Sequence, residues 1–177
     1  MSIYEILQKD HDTVKRLLSE LSSLTDSNIE TRHQLIDEIR NELVPHSRAE
    51  EAVFYNALRS LDEGKEVMHG YREHLEAETL LRTLQLIDKV GADWKATTEK
   101  LRDAIEHHIA EEETKIFAIA KQTLTDEEAN KIGEAFLALK PKVQQEGFMK
   151  NTFDLVVNMM PPRFSSKLSK QNISSRL

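Results

Sequence analysis

Two ten-residue stretches of the chain use the same phrase. HSRAEEAVFY (His46 to Tyr55) and HIAEEETKIF (His108 to Phe117) each give a histidine, three residues, a Glu-Glu pair, then apolar residues eight and nine positions past the histidine. Positions i and i+4 share one face of a helix. His46 with Glu50, and His108 with Glu112, can therefore offer an imidazole and a carboxylate to one ion. Two more histidines stand in matching places: Asp10-His11 ahead of His46, and Glu73-His74 ahead of His108. Imidazole plus carboxylate without thiolate suits iron, manganese or zinc. The chain has no cysteine, which removes disulfides, thiolate catalysis and Cys-based zinc or iron–sulfur sites.

The elements that must carry these residues are helices. Helix 1 is expected over about residues 3–24, with Ser2 and Glu5 as a capping box and Leu7, His11, Val14, Leu18 and Leu21 on one face. Helix 2 is expected over 29–61, with Leu35, Ile39, Leu43, His46, Glu50, Phe54 and Leu58 inward. Pro45 lies inside it and predicts a kink or break just before His46. A short connection around Asp62 to Gly64 leads to helix 3, over 65–90, with Val67, Tyr71, His74, Leu81 and Leu84 inward. Gly91 is its C-cap, and Asp93 the N-cap of a fourth helix. That helix turns Trp94, Leu101, Ile105, His108, Glu112, Ile116 and Ile119 inward. Thr125 to Glu128 reads as a second capping box. It opens a fifth helix from Asp126 to Lys140 or beyond, with Pro141 a possible interruption.

Four long helices with short loops predict an all-α, up-down-up-down four-helix bundle over residues 1–124. An additional C-terminal helix and basic tail fill 125–177. After Asp154 there are no acidic residues, and Arg163, Lys167, Lys170 and Arg176 are basic. A loosely packed terminus is the plainer reading of that tail; docking on the bundle or on a protein partner is the other.

Helical rise allows a test of whether the polar residues meet. At about 1.5 Å per residue, His11, His46, Glu50, His74, His108 and Glu112 fall in one band about 10 Å tall. A lone buried carboxylate costs several kcal/mol or takes up a proton. Two carboxylates and four imidazoles in one layer call for something cationic. Two metal ions about 3.5–4 Å apart fit such a band better than one.

Composition bounds the rest. The chain has 177 residues, enough for one sizeable core; five glycines and four prolines favour helix. A net charge of −7 argues against nucleic acid held through a basic field. No stretch approaches the roughly 20 apolar residues of a membrane span, and the N-terminus shows no signal pattern. A cytoplasmic setting is compatible with the lack of cysteine.

The motifs DHD at His11, HSRAEEAVFY, REHLEAE at His74 and HIAEEETKIF resemble those of hemerythrin-like, HHE cation-binding domains over about residues 3–122. The resemblance implies a centre of two non-heme iron ions. One would be held by His11 and His46, the other by His74 and His108, with Glu50 and Glu112 bridging and an oxo or hydroxo bridge between the ions. Zinc and manganese fit the same frame. The resemblance also implies O2, NO or peroxide as small ligands, or iron and oxygen sensing. A small peroxidase or catalase-like enzyme and a metal-buffering or interaction module are the alternatives.

One departure stands out. Oxygen-carrying members place two histidines four residues apart on the third helix, and here Gly70 and Glu78 flank His74 at that spacing. Either Glu78 takes the place or a coordination position opens. Asp10, Asp12 and Glu73 are candidates to orient the ligating rings. Tyr55 and Tyr71 read first as core packing, with phenolic ligation or hydrogen bonding as the alternative. Glu51, Glu111 and Glu113 read as solvated or as supports of the ligands, His107 as exposed or a support of the ligands, and His33 and His69 as surface residues.

Overall fold

The computed structural model describes residues 1–61, 64–146, 159–161 and 163–164. Helix α1 (Ile3–Ser23) starts on a capping box: Ser2 and Glu5 satisfy each other's backbone N–H groups. Helix α2 (Ile29–Glu50) continues into a π-helical turn, π1 (Glu51–Tyr55), and then into α3 (Asn56–Arg59). Helices α4 (Gly64–Gln85) and α5 (Ile87–Val90) follow. Gly91 ends α5 in the left-handed region at φ 64°, a conformation glycine adopts without a Cβ penalty. Asp93 caps α6 (Trp94–Glu111), accepting from the Ala96 N–H at 3.1 Å. A second π turn, π2 (Glu112–Ile116), leads into α7 (Phe117–Thr123). Helix α8 (Asp126–Glu146) opens on the Thr125–Glu128 capping box. No strand occurs among the described residues, and no helix among them is long and apolar enough to cross a membrane.

Helices α1, α2, α4 and α6 pack as a ring of neighbours, α1 on α2 and α6, α4 on α2 and α6, and α8 lies across α1 and α2. Two apolar clusters result. One joins Ile3 and Leu7 to Phe54, Tyr55, Phe117 and the inner face of α8. The other joins Leu18 and Leu21 to Ile39, Leu81, Leu84, Leu101 and Ile105. Between them lies a layer of buried polar residues: His11, His46, Glu50, His74, His108 and Glu112.

Four sequence expectations change. Pro45 does not break its helix; α2 runs through it. The carbonyl its missing N–H would have engaged, that of Asn41, accepts instead from Gln144 Nε2 of α8 at 3.4 Å. Pro141 likewise lies inside α8 without ending it. The third helix stops at Gln85 and restarts as α5, because Leu86 leaves helical geometry at φ −105°, ψ 11°. Part of the C-terminal segment packs on the bundle. Met160 and Phe164 are buried in the first core cluster. Arg163 donates to the Thr123 carbonyl at 2.9 Å and pairs with Glu128. Asp62, Glu63, Lys167, Lys170 and Arg176 lie outside the described residues.

Candidate metal centre

The four histidines of the polar layer are each oriented by a carboxylate at Nδ1. Asp10 holds His46 at 3.0 Å, and Glu73 holds His108 at 2.9 Å. Glu51 holds His74 and Glu113 holds His11, both at 2.9 Å. A carboxylate on one ring nitrogen fixes the tautomer and leaves the other nitrogen as a lone-pair donor, the usual arrangement of a metal-bound histidine.

The pattern has an internal symmetry. The residue before the first histidine of each hairpin anchors that hairpin's second histidine: Asp10 to His46, Glu73 to His108. The residue after each buried glutamate crosses to the other hairpin: Glu51 to His74, Glu113 to His11. Asp10 and Glu73 thus take the orienting role foreseen for them. Asp12 does not appear at any of the four rings. Glu51 and Glu113 were less legible, although the doubled glutamate in both motifs was their signal.

The Nε2 atoms face inward onto Glu50 and Glu112. Glu112 Oε2 lies 3.2 Å from His11 and 3.7 Å from His108. Glu50 Oε2 lies 3.3 Å from His74 and 3.9 Å from His46. Each carboxylate therefore reaches one histidine of each hairpin. Within hairpins, the His11 and His46 rings are 5.2 Å apart between centroids and those of His74 and His108 4.6 Å apart. The structure thus brings all six sequence-derived residues to one place. Val14, Leu43, Ile105 and Ile109 close one side of the cavity lined by the four imidazoles.

The layer is electrostatically unfinished. Both oxygens of Glu50 and of Glu112, and Nε2 of His11, are buried without a hydrogen-bond partner. Burial pushes Glu50 well above the usual carboxylate range, and Glu112 beside it adds to the rise. Burial acts against ionising Glu112 too, but Glu50 and His11 outweigh it and hold Glu112 low. The two carboxylates thus behave as a pair sharing one proton. Burial brings His46 down to about 4, against the pull of Asp10, and also lowers His74. Burial opposes protonation of His11, but Glu112 and Glu113 prevail and raise it. Buried carboxylate oxygens without hydrogen-bond partners cost several kcal/mol in a dry interior, and divalent cations satisfy a donor set of imidazole and carboxylate.

Both buried glutamates sit where an α-helix passes into a π turn: Glu50 closes α2 just before π1, and Glu112 opens π2. Such turns insert one residue into the helical register and concentrate at functional sites. Ile116, expected inward, is buried at the end of π2, but past it the buried positions are Phe117 and Ala120, and Ile119, expected inward, is only half-buried. Periodicity on a fixed 3.6-residue repeat does not reveal such an insertion.

Gly70 is filled from outside its own helix. A Cβ at Gly70 would come 2.6 Å from the Tyr55 hydroxyl. The Tyr55 ring stacks on His74 at 5.5 Å with an interplanar angle of 5°. Its hydroxyl is buried and unpartnered, and burial raises its pKa well above the ordinary value. Glu78 does not take the open place: it binds Arg48 Nη2 at 2.7 Å. Tyr71 reaches the Glu51 carbonyl at 3.3 Å. Gly70→Ala should therefore destabilise the protein by about 1–3 kcal/mol, the usual cost of overpacking. Adding Tyr55→Leu should recover part of that loss in a thermal-unfolding double-mutant cycle. Additive losses would show that the ring is not the obstacle.

A helical bundle with a buried His/Glu layer of this kind defines a cation-binding four-helix protein. The model of the hemerythrin HHE cation-binding domain matches residues 2–120. The chain belongs to that family. An uncharacterized protein of Mycobacterium tuberculosis is 31% identical over 143 residues, covering 78% of this chain and 84% of its own, and a Mycobacterium bovis protein matches equally. A protein of Nostoc sp. named DNA nickase is 28% identical over 145 residues, covering 82% of this chain but only 41% of its own length. The chain thus spans about two fifths of that relative. No solved structure matches the chain significantly.

Proposed function

We propose that the chain is a non-heme di-iron protein that binds or reacts with O2, NO or peroxide. The observation that carries this reading is the placement of Glu50 and Glu112, each within reach of one histidine from either hairpin. In this reading His11 and His46 hold one ion, His74 and His108 the other, and the two glutamates bridge. The carboxylates on Nδ1 hold that nitrogen as the N–H donor, turn Nε2 toward the metal and fix the rings in rotation. A pair of iron ions would supply one-electron redox chemistry and a position for a small ligand. Tyr55 is the residue placed to meet that ligand or to complete the metal's surroundings, since its hydroxyl occupies the space over Gly70. Residues 1–124 form the metal-holding bundle in this reading, and α8 covers one side of it.

DNA nicking, named for the Nostoc relative, is not part of this function. The match covers the smaller part of that protein, and the net charge of −7 disfavours a phosphate backbone. A peroxide-consuming enzyme is the second reading, favoured by the buried phenol of Tyr55 beside His74.

The test is metal content with optical spectra. Anaerobically reconstituted protein should hold about two irons per chain, and its spectrum should change on exposure to O2 or NO. One iron per chain, or full content surviving His74→Ala with His108→Ala, would overturn the reading. Loading should also release protons. In the metal-free protein burial and mutual repulsion favour one proton held by the glutamate pair, and His11 is raised toward its charged form. A cation must displace what they hold, so about one proton or more should leave per chain and apparent affinity should rise with pH. Calorimetry in buffers of different ionisation enthalpy measures this; proton uptake would contradict it.

A further inference from the structure

The His-x-x-x-Glu spacing occurs again on the outside of the bundle. His69 and Glu73 lie one turn apart on α4, and His107 and Glu111 one turn apart on α6, the helix packed against it. Their ligand atoms all lie within 4.8 Å of one another. His69 Nε2 is 3.3 Å from Glu73 Oε1 and 3.3 Å from Glu111 Oε2, and His107 Nε2 is 3.7 Å from Glu73 Oε1.

The two 3.3 Å separations match a coordination sphere, and the wider ones require the exposed His107 ring to close slightly on the ion. An ion bonded tetrahedrally at about 2.0–2.1 Å sets its ligands about 3.3–3.4 Å apart. The donors are two imidazoles and two carboxylates from two adjacent helices. Glu73 Oε1 is buried and has no hydrogen-bond partner although it points into the group. Lys115 pairs with Glu111 through Oε1, which leaves Oε2 turned to His69. Solvent reaches the group from two surface recesses: Gly70 and Lys115 line one with His69 and Glu111, and Asp103 lines the other with His107. Glu73 borders both.

We propose that His69, Glu73, His107 and Glu111 form a second, solvent-accessible metal site for a first-row divalent transition ion in mixed nitrogen and oxygen coordination. The site is separate from the buried layer but touches it through one residue. Glu73 presents Oε1 to the outer group and Oε2 to His108 Nδ1 at 2.9 Å. An ion arriving at the surface is therefore held one carboxylate away from a buried ligand. Imidazole nitrogen with carboxylate oxygen favours zinc, ferrous iron, cobalt or nickel over the hard ions magnesium and calcium.

Cobalt(II) tests this, because its visible bands report tetrahedral coordination. Protein already loaded at the buried centre is titrated with Co²⁺, beside the variant His69→Gln with His107→Gln. Both histidines are exposed, at 46% and 64%, so the exchange leaves the core intact. Wild-type protein should take up about one more Co²⁺ per chain than the variant, with intense visible bands. The metal content of the buried centre should be equal in the two. Equal Co²⁺ uptake by both proteins would overturn the proposal. Loss of the buried ions in the variant would assign these histidines to the buried centre and overturn it as well. If the buried layer holds no metal, the outer site still gives its cobalt spectrum, so the two readings fail separately.

Discussion

Metal-free protein carrying Glu50→Gln with Glu112→Gln is expected to be more stable than metal-free wild type, by about 1–3 kcal/mol. A buried carboxyl pair that shares one proton and has no well-formed hydrogen bond is replaced by amides, whose NH2 groups can donate to imidazole nitrogens. With metal present the order should reverse. Wild type should gain about 4 kcal/mol when free metal is about 1,000-fold above its dissociation constant, and the variant should gain almost nothing. Urea denaturation of both proteins with and without metal measures all four stabilities. Equal stabilisation of the variant by metal would remove Glu50 and Glu112 from the ligand set. The trade is what a binding layer inside a core implies: the residues that make the site weaken the unloaded fold.

Phe136→Ala is expected to cost about 3–5 kcal/mol, the usual loss for a fully buried aromatic, and to speed removal of metal by a chelator several-fold. Phe136 stands on α8 with its ring edge against His46, 5.6 Å between centroids and 75° between planes. The same helix sends Lys140 Nζ to Asp10 Oδ2 at 2.8 Å, the carboxylate that orients His46. Truncating the ring opens a path from solvent to the imidazole and loosens the helix that holds Lys140. Denaturation midpoints give the first effect and the absorbance of a coloured chelator the second. Unchanged chelation kinetics alongside the stability loss would show that α8 braces the bundle without shielding the site.

That helix marks where sequence reasoning stopped. The six buried polar residues were legible because they recur at fixed spacing on faces that are otherwise apolar. The bundle was legible from the same stripes and from capping boxes that the structure contains at Ser2 and Thr125. Residues whose role depends on a different helix were not. Nothing local to Phe136 or Lys140 points to His46 and Asp10. Gly70 read as a gap at the site because its filler, Tyr55, stands on another helix. Pro45 read as a break because the compensating donor, Gln144, lies about 100 positions further on. His69, taken singly, reads as a surface residue and His107 as exposed or a support of the ligands; only the packing of α4 on α6 makes them a group. In each case local pattern fixes an element, and a contact distant in sequence decides what the element does.

The crossing of Glu51 to His74 and of Glu113 to His11 has a consequence for how such a site could be built. Each hairpin contains one histidine it can orient alone and one that only the other hairpin can orient. A single hairpin therefore holds half of a site. Two identical copies related by a true twofold axis would hold all of it, with every contact present twice. The present chain has the layout of such a symmetric pair joined end to end. The join leaves the halves free to diverge, so that a tyrosine, a covering helix and an outer pair of histidines can each be placed on one side only.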